Sequence, residues 1–500
     1  MVTRIARQAS QATRTVRKHA TRAATGVLGL AGERMSKVDT AWLRMDSPAN
    51  QMMIIGVWTL EPRVSYEALC QRVEERLLKY PRFRQRVDED AAGATWVEHP
   101  VDIAQHVVRE KLPRRKGATR QQLLQDRVGE LAMVPLDRSR PLWQMHLVED
   151  YDGGSALIVR IHHCIADGIA LISVTMSLVD GGAPPPERRR KDKPAGAEDW
   201  IADTLIKPLT DITVKALDAA GDGAARSLGM LHDPQKALGG SMDVARLAYQ
   251  VVSDAAALAL MPDDSKTRLK GKPGTRKRVA WCPPLPLDEV KAVGKALNCS
   301  VNDVLLSCVA GAIGEYLKAQ GDDVAGQEIR AMIPVNLRPL EQAYKLGNRF
   351  GLVPLVLPIG IENPIERVYE VRRRMQALKG STQPLLAFGL LAVAGLLIKP
   401  AQDAMLNLFG RKTTAVMTNV PGPRDKLKFL GASLEQSMFW VPQSGDIGLG
   451  VSILSYGGGV QFGVMTDTQL CPDPQKIIDE FEPEFGKLSL VTLMLPWGES

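Results

Sequence analysis

Two adjacent histidines are the residues of this chain best suited to proton transfer. His162 and His163 form the only His-His pair among the seven histidines of the 500-residue sequence, and imidazole titrates close to neutral pH. With Asp167 and Gly168 they make the pattern His-His-x-x-x-Asp-Gly. A buried histidine beside an ordinary turn is the simpler interpretation, but the complete pattern is rare by chance, so we favour a functional one. Such a histidine can act as a general base on a substrate hydroxyl, thiol or amine that then attacks an activated acyl group.

The residues around the pair predict a strand, a turn and a helix, in that order. Residues 156–161 are apolar and rich in β-branched side chains, which predicts a strand. Asp167-Gly168 predicts a turn, and residues 169–178 predict a helix. Successive strand side chains face opposite ways, so one histidine of the pair is expected to face a given cavity. Asp167 could orient a histidine ring, but we expect it to lock the turn by hydrogen bonds to nearby backbone.

The cysteines and the absent motifs argue against other chemistries. The six cysteines have neither a C-x-x-C pair nor the spacing of a metal site, which predicts reduced thiols, no disulfide framework and no zinc. Cys164 follows His163 and should point away from that ring, so we do not expect it to be a nucleophile. H-E-x-x-H, Walker A and G-x-S-x-G motifs are absent. We therefore predict neither a metal nor a cofactor.

Positive charge is concentrated at the start of the chain. The formal net charge is +7, and residues 1–32 hold six basic residues and no acidic one, which leaves 57 basic and 56 acidic residues elsewhere. Apolar and basic side chains of this extension separate onto two faces of a helix, a pattern typical of contact with an anionic membrane surface. A disordered basic tail and an organellar transit peptide are alternatives. Because no other segment is strongly basic over a folded face, we do not expect nucleic acid as a partner.

No segment is predicted to cross a membrane. The longest apolar segment, residues 384–398, has 15 residues and contains two glycines, whereas a spanning helix needs about 20. We expect a buried helix there, with a helix that dips into one membrane leaflet as the alternative.

The pattern of the chain predicts an α/β protein with more than one compact unit. Five hundred residues are too many for a single core, and a stretch rich in proline and charge after Gly181 predicts a linker. The predicted segments are the N-terminal extension (1–34), an N-terminal lobe (35–180), a linker with helical segments (181–278) and a C-terminal lobe (279–500). The predicted strands are 52–60, 143–149, 156–162, 329–335, 353–357, 415–419, 448–456 and 460–466, and the predicted helices are 66–78, 119–133, 169–178, 287–297 and 304–317.

Several short motifs occur in an order that resembles one enzyme family. They are Ser36-Lys37-Val38-Asp39, Pro141-Leu142-Trp143, the histidine motif at 162–168, Val301-Asn302-Asp303-Val304, Pro334-Val335-Asn336-Leu337-Arg338 with Gly347-Asn348, and Asn419-Val420-Pro421-Gly422-Pro423. From about Met35 to its C-terminus the chain resembles the bacterial wax ester synthase/acyl-CoA:diacylglycerol acyltransferases, within the coenzyme A-dependent acyltransferase superfamily. The histidine motif alone indicates only the superfamily, which includes peptide-synthetase condensation domains. The other motifs are more specific.

The resemblance implies a fold, a reaction and a location. The fold would be two chloramphenicol-acetyltransferase-like lobes, each a mixed sheet flanked by helices, with a tunnel at their interface. The reaction would move a fatty acyl group from acyl-CoA, as substrate rather than cofactor, to a long-chain alcohol or to diacylglycerol. The protein would be cytoplasmic and peripherally associated with a membrane or lipid inclusions, and the basic extension lies outside the family core.

The resemblance also implies roles for particular residues. His163 would be the general base, His162 and Asp167 would support it, and Asn302 would position substrate or contact the oxyanion. The residues expected to contact or channel substrate are Gly168, which would keep the helix start open, Asp303, which would face the histidine from the other lobe, and Pro141, Leu142 and Trp143. A buried Trp143 would equally be a packing residue.

Two other functions remain compatible with these motifs. One is a condensation-type acyltransferase that uses carrier-bound acyl groups, although the sequence shows no carrier domain. The other is a non-catalytic protein of the same fold that binds lipid droplets or membranes, which the intact His163 argues against.

Overall fold

The computed structural model of the chain describes residues 32–90, 93–183, 263–336, 346–378 and 410–494. Three sequence predictions fall largely or wholly outside these residues: the amphipathic N-terminal extension, most of the linker, and the apolar segment 384–398. The second half of the Pro-Val-Asn-Leu-Arg motif lies outside them as well.

The described residues form strands that mostly match the predicted ones. In chain order the strands are β1 (Glu33–Arg34), β2 (Met53–Glu61), β3 (Gln85–Asp90), β4 (Gly93–Glu98), β5 (Val107–Glu110), β6 (Trp143–Tyr151), β7 (Gly154–His162), β8 (Lys277–Trp281), β9 (Leu285–Pro286), β10 (Ile329–Asn336), β11 (Phe350–Leu357), β12 (Ala415–Pro421), β13 (Lys428–Phe429), β14 (Ala432–Trp440), β15 (Leu449–Tyr456) and β16 (Gly459–Asp467). Each predicted strand is confirmed within a few residues at its ends.

Helices pack on the sheets, and two of them begin with a capping box. They are α1 (Lys37–Arg44), α2 (Tyr66–Glu75), α3 (Ile103–His106), α4 (Arg120–Leu131), α5 (Gly168–Leu178), α6 (Leu287–Ala296), α7 (Val301–Ala319), α8 (Pro364–Leu378) and α9 (Gln475–Leu493), with 3₁₀ turns at Leu77–Lys79 and Pro81–Arg84. Thr119 and Ser300 each form a capping box at the start of α4 and α7, which satisfies backbone donors that the first helical turn leaves free.

The first sheet carries the histidine motif on its central strands. Its order is β13-β14-β2-β7-β6-β5, and all neighbours are antiparallel except β5 and β6. Eight of the nine residues of β7 are buried, as expected for an apolar strand covered on both faces. The motif therefore begins at the end of a strand that neighbours on both sides hold in place.

The second sheet belongs to the other lobe. Its order is β11-β10-β12-β15-β16-β8, with β9 also paired to β16. The pairs β10–β12 and β12–β15 are parallel and the remaining pairs are antiparallel. Fourteen of the nineteen residues of helix α7 are buried, and its buried apolar side chains belong to the core cluster of this lobe. A small third sheet, β1-β4-β3, lies beside the first. The predicted α/β fold with two lobes of mixed sheets is confirmed.

One strand crosses between the lobes, which the sequence did not predict. Strand β14 lies within the predicted C-terminal lobe, but it pairs with β2 from Ser433–Glu61 to Trp440–Ile55 and so completes the first sheet. Residues of β2 and β14 also share a core cluster with Trp281 and Met465 of the second lobe. The strand connects the two lobes. Residues 279–500, predicted as the C-terminal lobe, therefore also contribute a strand to the first sheet.

Among the described residues, no single helix is long and apolar enough to cross a membrane. One helix pair, α6 with α7, passes the same test together by length and composition, and the pair is bent by 99° at its break.

Candidate active site

The histidine pair is fixed by backbone hydrogen bonds on both sides. The backbone nitrogen of His162 donates to the carbonyl of Leu142 at 2.9 Å, and that of His163 donates to the carbonyl of Met52 at 2.8 Å. These partners immediately precede β6 and β2. The two side chains consequently leave the end of β7 in fixed directions.

The His163 ring stacks on an aromatic wall. Its centroid lies 4.2 Å from that of Trp42 at an interplanar angle of 15°, and 5.4 Å from that of Phe350. Burial lowers the pKa of His163 from its usual 6.5 to about 4, because an imidazolium loses its hydration there. His163 lines a cavity between the lobes, and its Nδ1 atom is buried, which leaves Nε2 as the nitrogen that can face the cavity. The ring is thus held in a fixed orientation in surroundings that favour its neutral form.

This environment predicts an unusual pH profile. Because the pKa of His163 is lowered, its unprotonated form persists well below neutral pH. If this ring is the base, the acid limb of kcat/KM should have an apparent pKa near 4. The measurement is kcat/KM for coenzyme A release between pH 4 and 8, with the folded state checked by circular dichroism at each pH. An inflection near the ordinary histidine value of 6.5 would contradict this environment.

His162 faces away from the cavity and braces the turn. Its Nδ1 accepts a hydrogen bond from the backbone nitrogen of Cys164 at 3.1 Å, so Nε2 carries the proton and donates to Asp46 Oδ2 at 3.3 Å. Burial raises the pKa of Asp46, but hydrogen bonds from His162, Met52 and Arg138 lower it to a net decrease. These contacts fix the orientation of the His162 ring, and its supporting role in catalysis stays a prediction.

Asp167 ties the histidine turn to a distant loop. Its Oδ1 accepts from the backbone nitrogen of Ala170 at 2.9 Å as the N-cap of α5, and its Oδ2 accepts from the backbone nitrogen of Arg349 at 2.9 Å. Backbone hydrogen bonds also join Gly347 to Ile165 and to Asp167. These contacts agree with the expected locking role and extend it to the loop before β11.

The cavity between the lobes has a volume of about 380 Å³. Its walls combine the ends of strands and helices from both lobes, and its lining includes several residues of the sequence motifs. Those motif residues are His163, Asp167, Gly168, Asn302, Pro334, Val335, Asn336, Asn419, Val420 and Pro421. Motifs separated by more than 200 residues therefore meet around one space.

Asn302 and Asp303, although adjacent, have different surroundings. Asn302 lines the cavity, and its Oδ1 accepts from Asn419 Nδ2 at 3.0 Å, which leaves its own Nδ2 as a donor. Asp303 is buried, and its Oδ2 accepts from the backbone nitrogen of Ser300 at 2.8 Å in the capping box of α7. Asp303 is not among the residues that line the cavity. The helix start uses its carboxylate, and the expected substrate contact stays a prediction.

The Pro141-Leu142-Trp143 motif does not line the cavity between the lobes. Trp143 is buried, donates from Nε1 to the carbonyl of Phe83 at 2.9 Å and stacks on His106. Leu142 is buried and supplies the carbonyl that binds His162. The motif supports the strand end by packing, and its expected part in an acyl channel stays a prediction.

Three residues at the site were missed by the search for functional side chains. Trp42 and Phe350 form the aromatic wall, and Asn348 donates from Nδ2 to the carbonyl oxygen of His163 at 2.7 Å. Asp39 accepts from the same Nδ2 at 2.7 Å. Asp39 and Asn348 belong to the Ser36–Asp39 and Gly347-Asn348 motifs of the sequence, to which no role was assigned.

A second, apolar chamber adjoins the cavity. It lies in the first lobe between α5, α2 and strands β2, β7 and β14, and nearly all of its lining is aliphatic or aromatic. Gly168 and Phe439 line both spaces. A Cβ atom added to Gly168 would meet no atom within 4 Å, so this position lies open where the two spaces meet.

The described residues contain neither a metal-ligand cluster nor, beside the histidines, a thiol of low pKa. Among the described residues, no group of three His, Cys, Asp or Glu side chains could hold a metal ion. Burial raises the pKa of the Cys164 thiol well above its usual 9.0, and Cys164 is not among the residues that line the cavity.

Comparisons of the sequence find two family domains that together cover most of the described chain. The wax ester synthase/diacylglycerol acyltransferase catalytic domain matches residues 35–305, and the WS/DGAT C-terminal domain matches residues 346–489. A probable diacylglycerol O-acyltransferase of Mycobacterium tuberculosis is 27% identical over 443 residues, covering 86% of this chain and 89% of the relative. Wax ester synthase/diacylglycerol acyltransferase 8 of Arabidopsis thaliana is 25% identical over 474 residues, covering 86% and 90%.

Solved structures share the fold. A wax ester synthase/diacylglycerol acyltransferase from Marinobacter aquaeolei VT8 superposes with a TM-score of 0.62 at 20% identity, covering 92% of this chain and 99% of that one. The first condensation domain of the calcium-dependent antibiotic synthetase superposes with a TM-score of 0.55 at 14% identity, covering 92% and 96%. Wax ester synthase/diacylglycerol acyltransferases and condensation domains therefore share this architecture. The matched family domains are those of the first group.

Proposed function

The chain belongs to the wax ester synthase/diacylglycerol acyltransferase family and is an acyltransferase, and we propose that His163 is the general base of its reaction. The acyl group comes from a fatty acyl-CoA, and the acceptor is the hydroxyl of a long-chain alcohol or of diacylglycerol. The observation that carries the proposal is the neutral His163 ring, stacked on Trp42 and facing the cavity between the lobes.

The proposed chemistry is a direct attack without an acyl-enzyme. Nε2 of His163 removes the proton of the acceptor hydroxyl while the oxygen attacks the thioester carbon. The tetrahedral intermediate collapses to an ester as the carbon–sulfur bond breaks, and the imidazolium returns its proton to the leaving coenzyme A thiolate. The buried, high-pKa thiol of Cys164 cannot compete as a nucleophile.

Asn302 is proposed to act on the other side of the reacting carbon. Its Oδ1 is occupied by Asn419, so its Nδ2 can donate to the substrate carbonyl or to the oxyanion that forms from it. This donor comes from the second lobe and His163 from the first, so the site needs both lobes in their observed positions.

The apolar chamber is proposed to hold the fatty chain. Its lining is almost entirely hydrocarbon, and it opens beside Gly168 next to His163. Each buried methylene group contributes about 0.8 kcal/mol, so such a chamber would favour long acyl chains. This proposal gives Gly168 the role that the family resemblance implied.

The test of the proposed function is acyl transfer by the purified protein. Palmitoyl-CoA is offered with hexadecanol, with diacylglycerol and with no acceptor, while released coenzyme A is measured with a thiol reagent and esters by chromatography. We expect ester formation that equals coenzyme A release and depends on the acceptor. Absence of ester with every acceptor, while the protein remains folded, would refute the proposal.

We also propose that the basic extension brings the enzyme to anionic lipid surfaces. Residues 1–32 include six basic residues and no acidic one, so this segment should bind anionic headgroups electrostatically. Deletion of residues 1–32 should release the protein from vesicles containing phosphatidylglycerol, as measured by sedimentation, and spare activity on detergent-dispersed substrates. A full-length control with all six basic residues replaced by glutamine should behave like the deletion. Unchanged sedimentation of both variants would exclude this role.

A further inference from the structure

His163 and Asn348 each have one buried polar atom without a hydrogen-bond partner among the described residues. These atoms are Nδ1 of His163 and Oδ1 of Asn348. Leaving a buried polar atom unpaired destabilises the folded state. One atom can donate and the other can only accept, so the two are chemically complementary.

The orientation of the Asn348 amide is fixed from the other side. Its Nδ2 donates to Asp39 Oδ1 at 2.7 Å, and its backbone nitrogen donates to the same oxygen at 3.0 Å. Nδ2 also donates to the carbonyl oxygen of His163 at 2.7 Å. With both hydrogens of the amide nitrogen engaged by acceptors, Oδ1 is the atom left toward the imidazole.

Asn348 affects two hydrogen-bond acceptors near the His163 imidazole. The carbonyl oxygen of His163 itself and the Asn348 side chain both raise the pKa of His163, against the larger lowering by burial. Asn348 provides the second acceptor and, through its Nδ2 hydrogen bond, also orients the first. Which ring nitrogen of a neutral histidine carries the proton is set by the hydrogen bond that the other atom makes.

We propose that Asn348, oriented by Asp39, is a positioning residue that keeps the proton of neutral His163 on Nδ1 and the lone pair of Nε2 toward the cavity. The inference rests on the proposed function of His163 as the base. The loop that carries Asn348 is also bound to the histidine turn through Asp167 and Arg349. A residue from the second half of the chain thereby determines which ring nitrogen of His163, in the first half, carries the proton.

The kinetic test compares two buried asparagines. Asn348→Leu removes the amide beside His163, and the control Asn50→Leu removes an equally buried amide whose Nδ2 donates to the carbonyl of Gly445 at 2.8 Å. Asn348→Leu should lower kcat about 10- to 100-fold, a part of the 10²–10⁴-fold that a general base contributes, with KM little changed. Asn50→Leu should lower the melting temperature similarly and retain kcat within about twofold.

The spectroscopic test needs no turnover. Protein with ¹⁵N-labelled histidine is examined by NMR at pH 7, with His163→Ala to assign the resonances. The wild type should show a protonated Nδ1 and an unprotonated Nε2 for His163, and Asn348→Leu should lose this single tautomer. If Asn348→Leu does not fold, Asp39→Asn serves instead, since it lets the Asn348 amide reverse without removing it.

The outcomes separate the two proposals. A wild-type tautomer in the Asn348→Leu protein, or equal losses of kcat in the Asn348 and Asn50 variants, would overturn the positioning role. A wild type with no acyl transfer, but with an Nδ1-protonated ring that only the Asn348 or Asp39 variant disturbs, would refute the proposed function and leave the positioning role standing.

Discussion

The His163→Ala variant is expected to lose about 10²–10⁴-fold in kcat for acyl transfer and to remain folded. The residual rate should come from substrate positioning and from the proposed donor Asn302, which the substitution leaves in place. Removal of the ring deletes the base but leaves both backbone hydrogen bonds of the pair, because those use the main chain. The measurement is steady-state release of coenzyme A from palmitoyl-CoA with hexadecanol.

His106→Ala is the matched control for this variant. His106 is buried like His163 and stacks on Trp143 with a centroid distance of 4.4 Å, as His163 stacks on Trp42. Each stacked pair should contribute about 0.5–1.5 kcal/mol beyond its buried area, so both variants should lose comparable thermal stability. Only His163→Ala should lose activity. Substantial activity in a folded His163→Ala protein would remove the general-base assignment.

Gly168→Leu is expected to change the acyl-chain selectivity of the enzyme. An added side chain would extend into open space where the cavity meets the apolar chamber. A chain denied four methylene groups of burial would lose about 3 kcal/mol, or about 200-fold in kcat/KM. Palmitoyl-CoA should show a loss of this order, whereas butyryl-CoA should be affected only a few-fold. The measurement is kcat/KM across acyl-CoAs from four to sixteen carbons.

A control for this substitution is available in α9. A Cβ atom added to helical Gly486 also meets no atom within 4 Å, so Gly486→Leu tests the effect of a leucine at an open helical glycine far from the cavity. It should leave the chain-length profile unchanged. Equal losses for short and long acyl-CoAs in Gly168→Leu would show that the chamber does not hold the acyl chain.

Local sequence patterns predicted the histidine turn well. The apolar strand, the Asp-Gly turn and the following helix depend on neighbouring residues, and all three are formed by residues 154–178. The capping role of Asp167 follows from the same local chemistry. The alternation of strand side chains also predicted that the two histidines face different ways. His163 lines the cavity, whereas His162 binds Asp46.

Contacts between distant segments could not be predicted from such patterns. Trp42, Asn348 and Phe350 reach His163 only because α1 and the loop before β11 meet at the end of β7. Strand β14 joins the first sheet across more than 370 residues of chain. No periodicity encodes that register. Its position means that the predicted C-terminal lobe also supplies a strand to the sheet of the first lobe.

The role expected for Trp143 shows how a motif can mark structure rather than substrate contact. Its Nε1 is used by the carbonyl of Phe83, and its ring packs on His106. A large side chain at the start of β6 holds the strand that supplies the Leu142 carbonyl to His162. The motif therefore affects the site through the backbone of the histidine pair.

Acceptor dependence of coenzyme A release tests the central claim most directly. Wild-type protein at substrate concentration is mixed with radiolabelled palmitoyl-CoA, first without and then with hexadecanol, and coenzyme A, ester and protein-bound label are measured in the same sample. A base that activates the acceptor for direct attack predicts no release and no labelled protein until the alcohol is added, and then one ester per coenzyme A. A burst of coenzyme A without acceptor, together with covalently labelled protein, would contradict the account.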